Sequence, residues 1–151
     1  MPLLTRMPAV IPALVDVFTE ALAGATIPVV VVDGPQMGEP PLRAVVVGIG
    51  WRGQPPYSTT VTRQPGMKTS LREDWSVTCF ATVQLTGDAF PAARLEVAAL
   101  LASLDQGLRA HGVTDAWEAV TISGQVEWVP ELTSMGAACS LVFNVNGAGL
   151  L

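Results

Sequence analysis

The stretch WSVTCFATVQLT, residues 75–86, decides the fold. Trp75, Val77, Cys79, Ala81, Val83 and Leu85 alternate with Ser76, Thr78, Phe80, Thr82, Gln84 and Thr86. A period of two predicts a strand with one apolar and one mainly polar face. Such a strand belongs in an antiparallel sheet covered on one side. Gly87-Asp88 ends it, and Asp88 suits the N-cap of a helix immediately downstream. Pro91 fits the first turn of that helix, and Val97, Leu100, Leu101, Leu104 and Leu108 recur at helical spacing. Gly112 stops it.

Upstream, Pro12 suits the start of an earlier helix after a loose arm. Leu14, Val17, Phe18, Ala21 and Leu22 form its apolar stripe, and Gly24 is its stop. The valine run 29–32 and the run 45–47 read as short strands buried on both faces. Residues 50–72 are polar and interrupted by Pro55-Pro56 and Pro65-Gly66, which predicts a long loop of the kind that is either functional or disordered. Within it, residues 57–63 are rich in β-forming types and suit one arm of an extended hairpin. Downstream, Val120, Ile122, Val126 and Trp128 alternate with Gly124 in phase, and Pro130 ends the strand. Cys139, Leu141, Phe143 and Val145 alternate again, so the last two strands form a hairpin. Residues 147–151 are a short apolar tail. The expectation is one α+β domain over residues 1–151, with a mainly antiparallel sheet and both helices on one face. Its order is α-β-β-(long loop)-β-α-β-β.

The chain has 151 residues, of which 50% are hydrophobic and only 14% charged. A typical soluble domain is about one quarter charged. Either this is a compact, weakly charged monomer, or part of its surface is covered by a partner, because interface cores are depleted of charge. The net charge of −5 argues against a general nucleic-acid binder. No run is apolar and long enough for a membrane span. Pro8, Pro12 and Asp16 break the layout of a signal peptide, which points to a cytoplasmic origin.

Candidate chemistry is sparse. Cys79 and Cys139 sit on apolar phases of different strands, as buried free thiols do. The one histidine, His111, falls at a helix C-terminus, where the dipole favours it. No GxSxG elbow accompanies it. Glu73-Asp74 are neighbours on a strand, so they point to opposite faces and cannot share a substrate. Gly48-Ile49-Gly50-Trp51-Arg52-Gly53 spells GxGxxG, but Gln54-Pro55-Pro56 cannot open the helix a dinucleotide needs. No catalytic residue, metal or cofactor is assigned. The one concentration of charge is Arg52, Arg63, Lys68 and Arg72, half of the 8 basic residues, in the predicted loop. Such a loop is either solvated or docks on an acidic neighbour or polyanion. A symmetric assembly would multiply its charge around a ring.

Three segments carry a resemblance: Val31-Val32-Asp33-Gly34-Pro35, Ala44-Val45-Val46-Val47-Gly48, and Glu73-Asp74-Trp75-Ser76-Val77-Thr78-Cys79. With the flanking helices and two-strand finish, this layout resembles the tail terminator (tail completion) proteins of long, non-contractile-tailed bacteriophages. The resemblance spans most of the chain and rests on layout rather than on a catalytic signature. It implies a non-enzymatic virion protein, assembled in the host cytoplasm and located in the tail-neck region. Such a subunit forms a hexameric ring on the head-proximal end of the tail tube. Its partners would be further copies, the tail tube protein and the head–tail connector. DNA would pass through the lumen without sequence-specific binding. The loop 50–72 would then contact a neighbouring subunit or the tube, with some basic residues facing the lumen. Two alternatives are another neck or tail component, such as a joining or tube protein, and a small-molecule-binding domain, which would need convergent polar groups in a pocket.

Overall fold

A computed structural model describes residues 5–35, 41–63, 71–112 and 114–151. Its elements are α1 (Met7–Leu22), β1 (Val30–Asp33), β2 (Arg43–Val47), β3 (Tyr57–Arg63), β4 (Leu71–Thr86), α2 (Phe90–His111), β5 (Ala119–Ile122), β6 (Glu127–Thr133) and β7 (Gly136–Leu150). The protein is a single-domain α+β fold with two helices and a mainly antiparallel seven-stranded sheet. The expected order holds in outline.

The strand that the alternation announces, β4, is the sheet's centre. It pairs antiparallel with β7 from Arg72↔Leu150 to Thr86↔Gly136. Along the other edge of β4 lie β2, opposite residues 79–83, and then β3, opposite residues 71–77. Along the other edge of β7 lie β6 and then β5. Outside β2 runs β1, parallel to it. Trp75, Val77, Cys79, Ala81 and Val83 of β4 share the core with Cys139, Leu141, Phe143 and Val145 of β7. Both helices cover that face. Met7, Val10, Ile11, Leu14, Val17, Phe18 and Leu22 line α1, while Val97, Leu100, Leu104 and Leu108 line α2. Burying one such side chain stabilises by about 1.5–3 kcal/mol. The helices approach closely where α2 carries Gly107, since a Cβ there would lie 2.6 Å from the Ala21 Cβ.

Several boundaries differ from the sequence expectation, each for a physical reason. Within the segment expected as a loop over 50–72, the hairpin arm expected over 57–63 is present, and the following strand starts earlier than Trp75. Residues 57–63 are β3, and Leu71 and Arg72 already belong to β4. Among the described residues of that segment, 50–56 lie outside both strands, in the excursion between β2 and β3. The expected tail 147–151 is instead the end of β7 through Leu150, and the Leu151 N–H donates to the Leu71 carbonyl at 2.8 Å. The strand expected over 120–128 breaks at Gly124, whose φ of 86° is in the left-handed region. Pro130 sits inside β6 rather than ending it, which an outer strand tolerates because one of its edges is unpaired. Asp88 does not cap α2 with its side chain; the N-cap is Ala89. The β1 strand is not buried on both faces, because it is outermost, and Val30 and Asp33 are exposed.

The first helix starts at Met7, with Pro12 inside it. Met7, Val10 and Ile11 extend the buried stripe, which outweighs the missing N–H of the proline. The N-cap residue Arg6 makes no side-chain cap of its own, and the Thr5 hydroxyl accepts from the Met7 N–H at 3.1 Å. Glu73, buried on β4, supplies a further cap from across the sheet. It accepts from the Arg6 N–H at 2.7 Å, from the Thr59 hydroxyl at 2.5 Å and from the Thr5 hydroxyl. The carboxylate therefore satisfies an orphan donor at the positive end of the helix dipole. Burial alone would push its carboxyl up and is the largest single influence. The Thr5, Thr59 and Arg6 hydrogen bonds and the Arg6 charge together outweigh it and hold the carboxyl below its ordinary range. A lowered folded-state value gives stability that is complete above the ordinary glutamate pKa, about 4.3. That stability is lost as pH falls through the lowered value. Glu73→Gln should lower stability by about 1–2 kcal/mol at neutral pH. Its urea midpoint should also fall less than wild type's on acidification below pH 4 to 5, a range in which glutamate protonates. Parallel acid sensitivity in both proteins would contradict this role.

Candidate functional site

Two loops interrupt the outer strands at the same height, one on each side of the β4–β7 pair. The first is the excursion 48–56. Gly48 ends β2 at φ 85°, and the Gly48 and Ile49 N–H groups both donate to the Thr78 carbonyl. Trp51 and Gln54 then exchange backbone bonds in a tight turn. This turn, followed by a strand, accounts for the glycine spacing at 48–53 without a nucleotide. The second loop is 123–126, between β5 and β6.

The two loops meet across the sheet. Trp51 Nε1 donates to Glu127 Oε2 at 2.7 Å, and Arg52 Nη1 lies 2.5 Å from Glu127 Oε1. The Arg52 guanidinium also stacks 5.4 Å from the Trp51 ring centroid. Arg52 adopts φ 44°, alone among the described non-glycine residues in the left-handed region. That conformation is mildly strained. The carboxylate clamp compensates for it. Because Arg52 is largely exposed, the ion pair itself contributes little. Glu127→Ala should leave global stability within about 1 kcal/mol. It should nonetheless speed amide exchange and proteolysis of the 48–56 turn, and unchanged exchange there would contradict the clamp.

Beneath these loops, the helix-free face of the sheet is lined by small, uncharged polar groups. The Thr78 hydroxyl donates to the Pro55 carbonyl at 2.9 Å and lies 3.2 Å from Asn144 Oδ1. Ser140 donates to the Thr82 hydroxyl at 2.9 Å, and Asn146 Nδ2 donates to the Ser123 hydroxyl at 2.7 Å. A shallow depression of about 250 Å³ lies among Gln54, Ser58, Ser76, Thr78, Ser123, Asn144 and Asn146. Among them, Thr78 bonds Asn144 and Asn146 bonds Ser123. Among the described residues, no three His, Cys, Asp or Glu side chains gather as a metal site requires. Cys79 and Cys139 are free and buried, and burial pushes the Cys79 thiol up to about 12. Burial likewise raises Cys139, against the pull of Arg94. His111 is exposed at the end of α2. Glu73 faces the helices, whereas Asp74 is exposed on the other side of the sheet.

The four basic residues nominated from the sequence do not form one cluster. Arg52 is neutralised in place by Glu127. Arg63 pairs with Leu71 and Arg72 with Thr62, so the two arginines project to opposite faces of the β3–β4 arm. Arg72 sits 3.4 Å from Asp74, and both are exposed enough for water to screen the pair. Arg72 is six positions along β4 from Thr78, where the Arg52 turn attaches, or roughly 20 Å of strand. Lys68 lies outside the described residues. What the arm offers is a strand, not a charge cluster. All seven residues of β3 are exposed, and β4 is its one strand partner among the described residues.

Sequence reasoning missed the other exposed feature. Trp128, Leu132 and Met135 are 49%, 69% and 50% exposed at the β6 edge. Trp128 keeps the apolar phase that alternation predicts, since it pairs with buried Leu141. It stays exposed because α2 packs on β4, β7 and β5, leaving β6 at the rim. An apolar residue preceding Pro130 on a strand would have signalled an edge. Among the described residues no helix is long and apolar enough to cross a membrane. No protein-family model matches the chain, and no curated protein matches it at a significant level.

Proposed function

We propose that this chain is a structural virion subunit of the tail-terminator type. It forms a ring at the head-proximal end of a phage tail tube, ends tube polymerisation and presents the surface for head–tail joining. The observation that carries the reading is the exposed β3 arm on a sheet that is open at both edges. Exposed strand edges invite pairing with another chain, and a monomer that keeps them is built to be completed by neighbours. The low charge supports this, because the covered surface of an assembly carries little. In this reading the partners are further copies, the tube protein and the head–tail connector, with DNA passing through the lumen without sequence-specific contacts. The same open edges also suit a tube protein, which would stack repeatedly rather than stop at one ring.

Negative-stain microscopy and native mass spectrometry of the purified protein test the reading. Closed rings, six subunits by the family resemblance, are the expected result. Long stacked tubes would favour the tube reading, and monomers at every concentration would contradict both. Reversing Arg63 and Arg72 to glutamate should impair assembly while shifting the melting temperature by no more than a few degrees, as exposed substitutions do. Full assembly by that variant would remove the arm's charge from the account.

A further inference from the structure

The two open edges of the sheet carry complementary chemistry at matched heights. Height is read from the register with β4. On the β6 edge, Trp128 pairs with Leu141 and so lies level with Ala81, while Leu132 pairs with Ala137 and lies level with Leu85. Both side chains lie on the helix-bearing face, as do their buried partners. On the opposite edge, beside β1, a groove of about 540 Å³ opens between the two helices and the sheet. Leu22, Ile27, Val29 and Leu100 give it apolar walls, and Arg43 and Val83 set its height. Arg43 pairs with Val83, midway between the levels of Trp128 and Leu132, and its contact with Glu96 of α2 places it on the same helix-bearing face.

A second match lies nearer the arm. Arg63 and Arg72 stand at the level of Leu71 and Arg72 on the β3 side. On the β5 side, the Glu118 N–H donates to the carbonyl of Ala148, which pairs with Asp74. Exposed Asp115 and Glu118 therefore lie close to the height of the arginines. Strand directions agree as well. Both β1 and β3 run opposite to β4, whereas β5 and β6 run with it. Two copies set side by side would bring these edges together antiparallel.

We infer that a second copy of this chain is the occupant of the groove beside β1, with its Trp128–Leu132 edge seated there, head to tail. This rests on the ring reading and names its interface. An apolar edge that fits a groove elsewhere on the same molecule makes a heterologous contact, which closes into a ring when the rotation per step allows. With the edges antiparallel, the arginines of the arm lie across the seam from Asp115 and Glu118, and opposite charges across paired strands attract.

The test uses Ile27→Cys and Leu132→Cys, separately and together, treated with a short bis-maleimide, with mass measured in parallel by light scattering. Cys79 and Cys139 are buried, so wild type is the unreacted control. The expected result is a covalent ladder in the double variant and single-chain bands in each single variant. Leu132→Asp, at an exposed site, should keep its melting temperature and weaken association about tenfold or more. Covalent dimers from Leu132→Cys alone would reveal a two-fold contact and overturn the proposal. Ring mass without a ladder in the double variant would overturn this interface and leave the ring standing. Monomer mass at every concentration would overturn the ring and the interface together.

Discussion

Val77→Asp yields no folded protein. Val77 is fully buried at the centre of β4, opposite Val145 of β7 and Tyr57 of β3. A carboxylate there would lose its water and gain no partner, since the surrounding core is aliphatic and aromatic. The expected loss is about 4 kcal/mol or more, a large part of the 5–15 kcal/mol that holds an ordinary domain together. Circular dichroism and a thermal melt read it directly. The control is Ser76→Asp, one residue away on the half-buried polar face, which should melt cooperatively near wild type. A native-like Val77→Asp protein would mean that the faces of β4 are assigned the wrong way round.

The second large effect concerns Gly147, which pairs with Trp75 across β4 and β7. A Cβ at 147 would sit 2.1 Å from Cζ2 of the Trp75 indole. The ring has no room to retreat, because Trp75 is 3% exposed and packs against Trp117 at 6.1 Å between centroids. Gly147→Val should therefore destabilise by about 3 kcal/mol through overpacking. Trp75→Leu, destabilising on its own, should relieve most of that added cost when the two changes are combined. Urea unfolding of the four proteins in the cycle gives the coupling. If Gly147→Val costs the same in both backgrounds, the indole is not what the glycine accommodates.

These two residues also show what the sequence makes legible. The core face of β4 is written as apolar alternation, and the same period marks most of β7, while helical spacing marks the stripe of α2. Where a strand is exposed on both sides, as in β3, there is no apolar phase to read, and only its β-forming residue types mark residues 57–63 as a hairpin arm. At the end of β7, Gly147 and Gly149 carry no side chain to alternate, although the backbone pairs throughout. The start of α1 was hidden by Pro12, and part of its capping comes from Glu73, a residue that no local pattern connects to it. The candidate site was legible only in part. Nearness in sequence gathered Arg52, Arg63 and Arg72, but pairing register sends two of them to opposite faces and a remote glutamate neutralises the third. The exposed edge at Trp128 and Leu132 escaped notice because alternation reports the face of a side chain and not whether a helix covers it.

Electron microscopy of particles made when this gene is deleted from the replicon that carries it tests the central claim most directly. The account predicts overlong tail tubes beside DNA-filled heads that lack tails, because nothing would stop tube growth or offer the joining surface. Tails of normal length that fail to join heads would move the protein to the joining step. Intact virions would contradict the account.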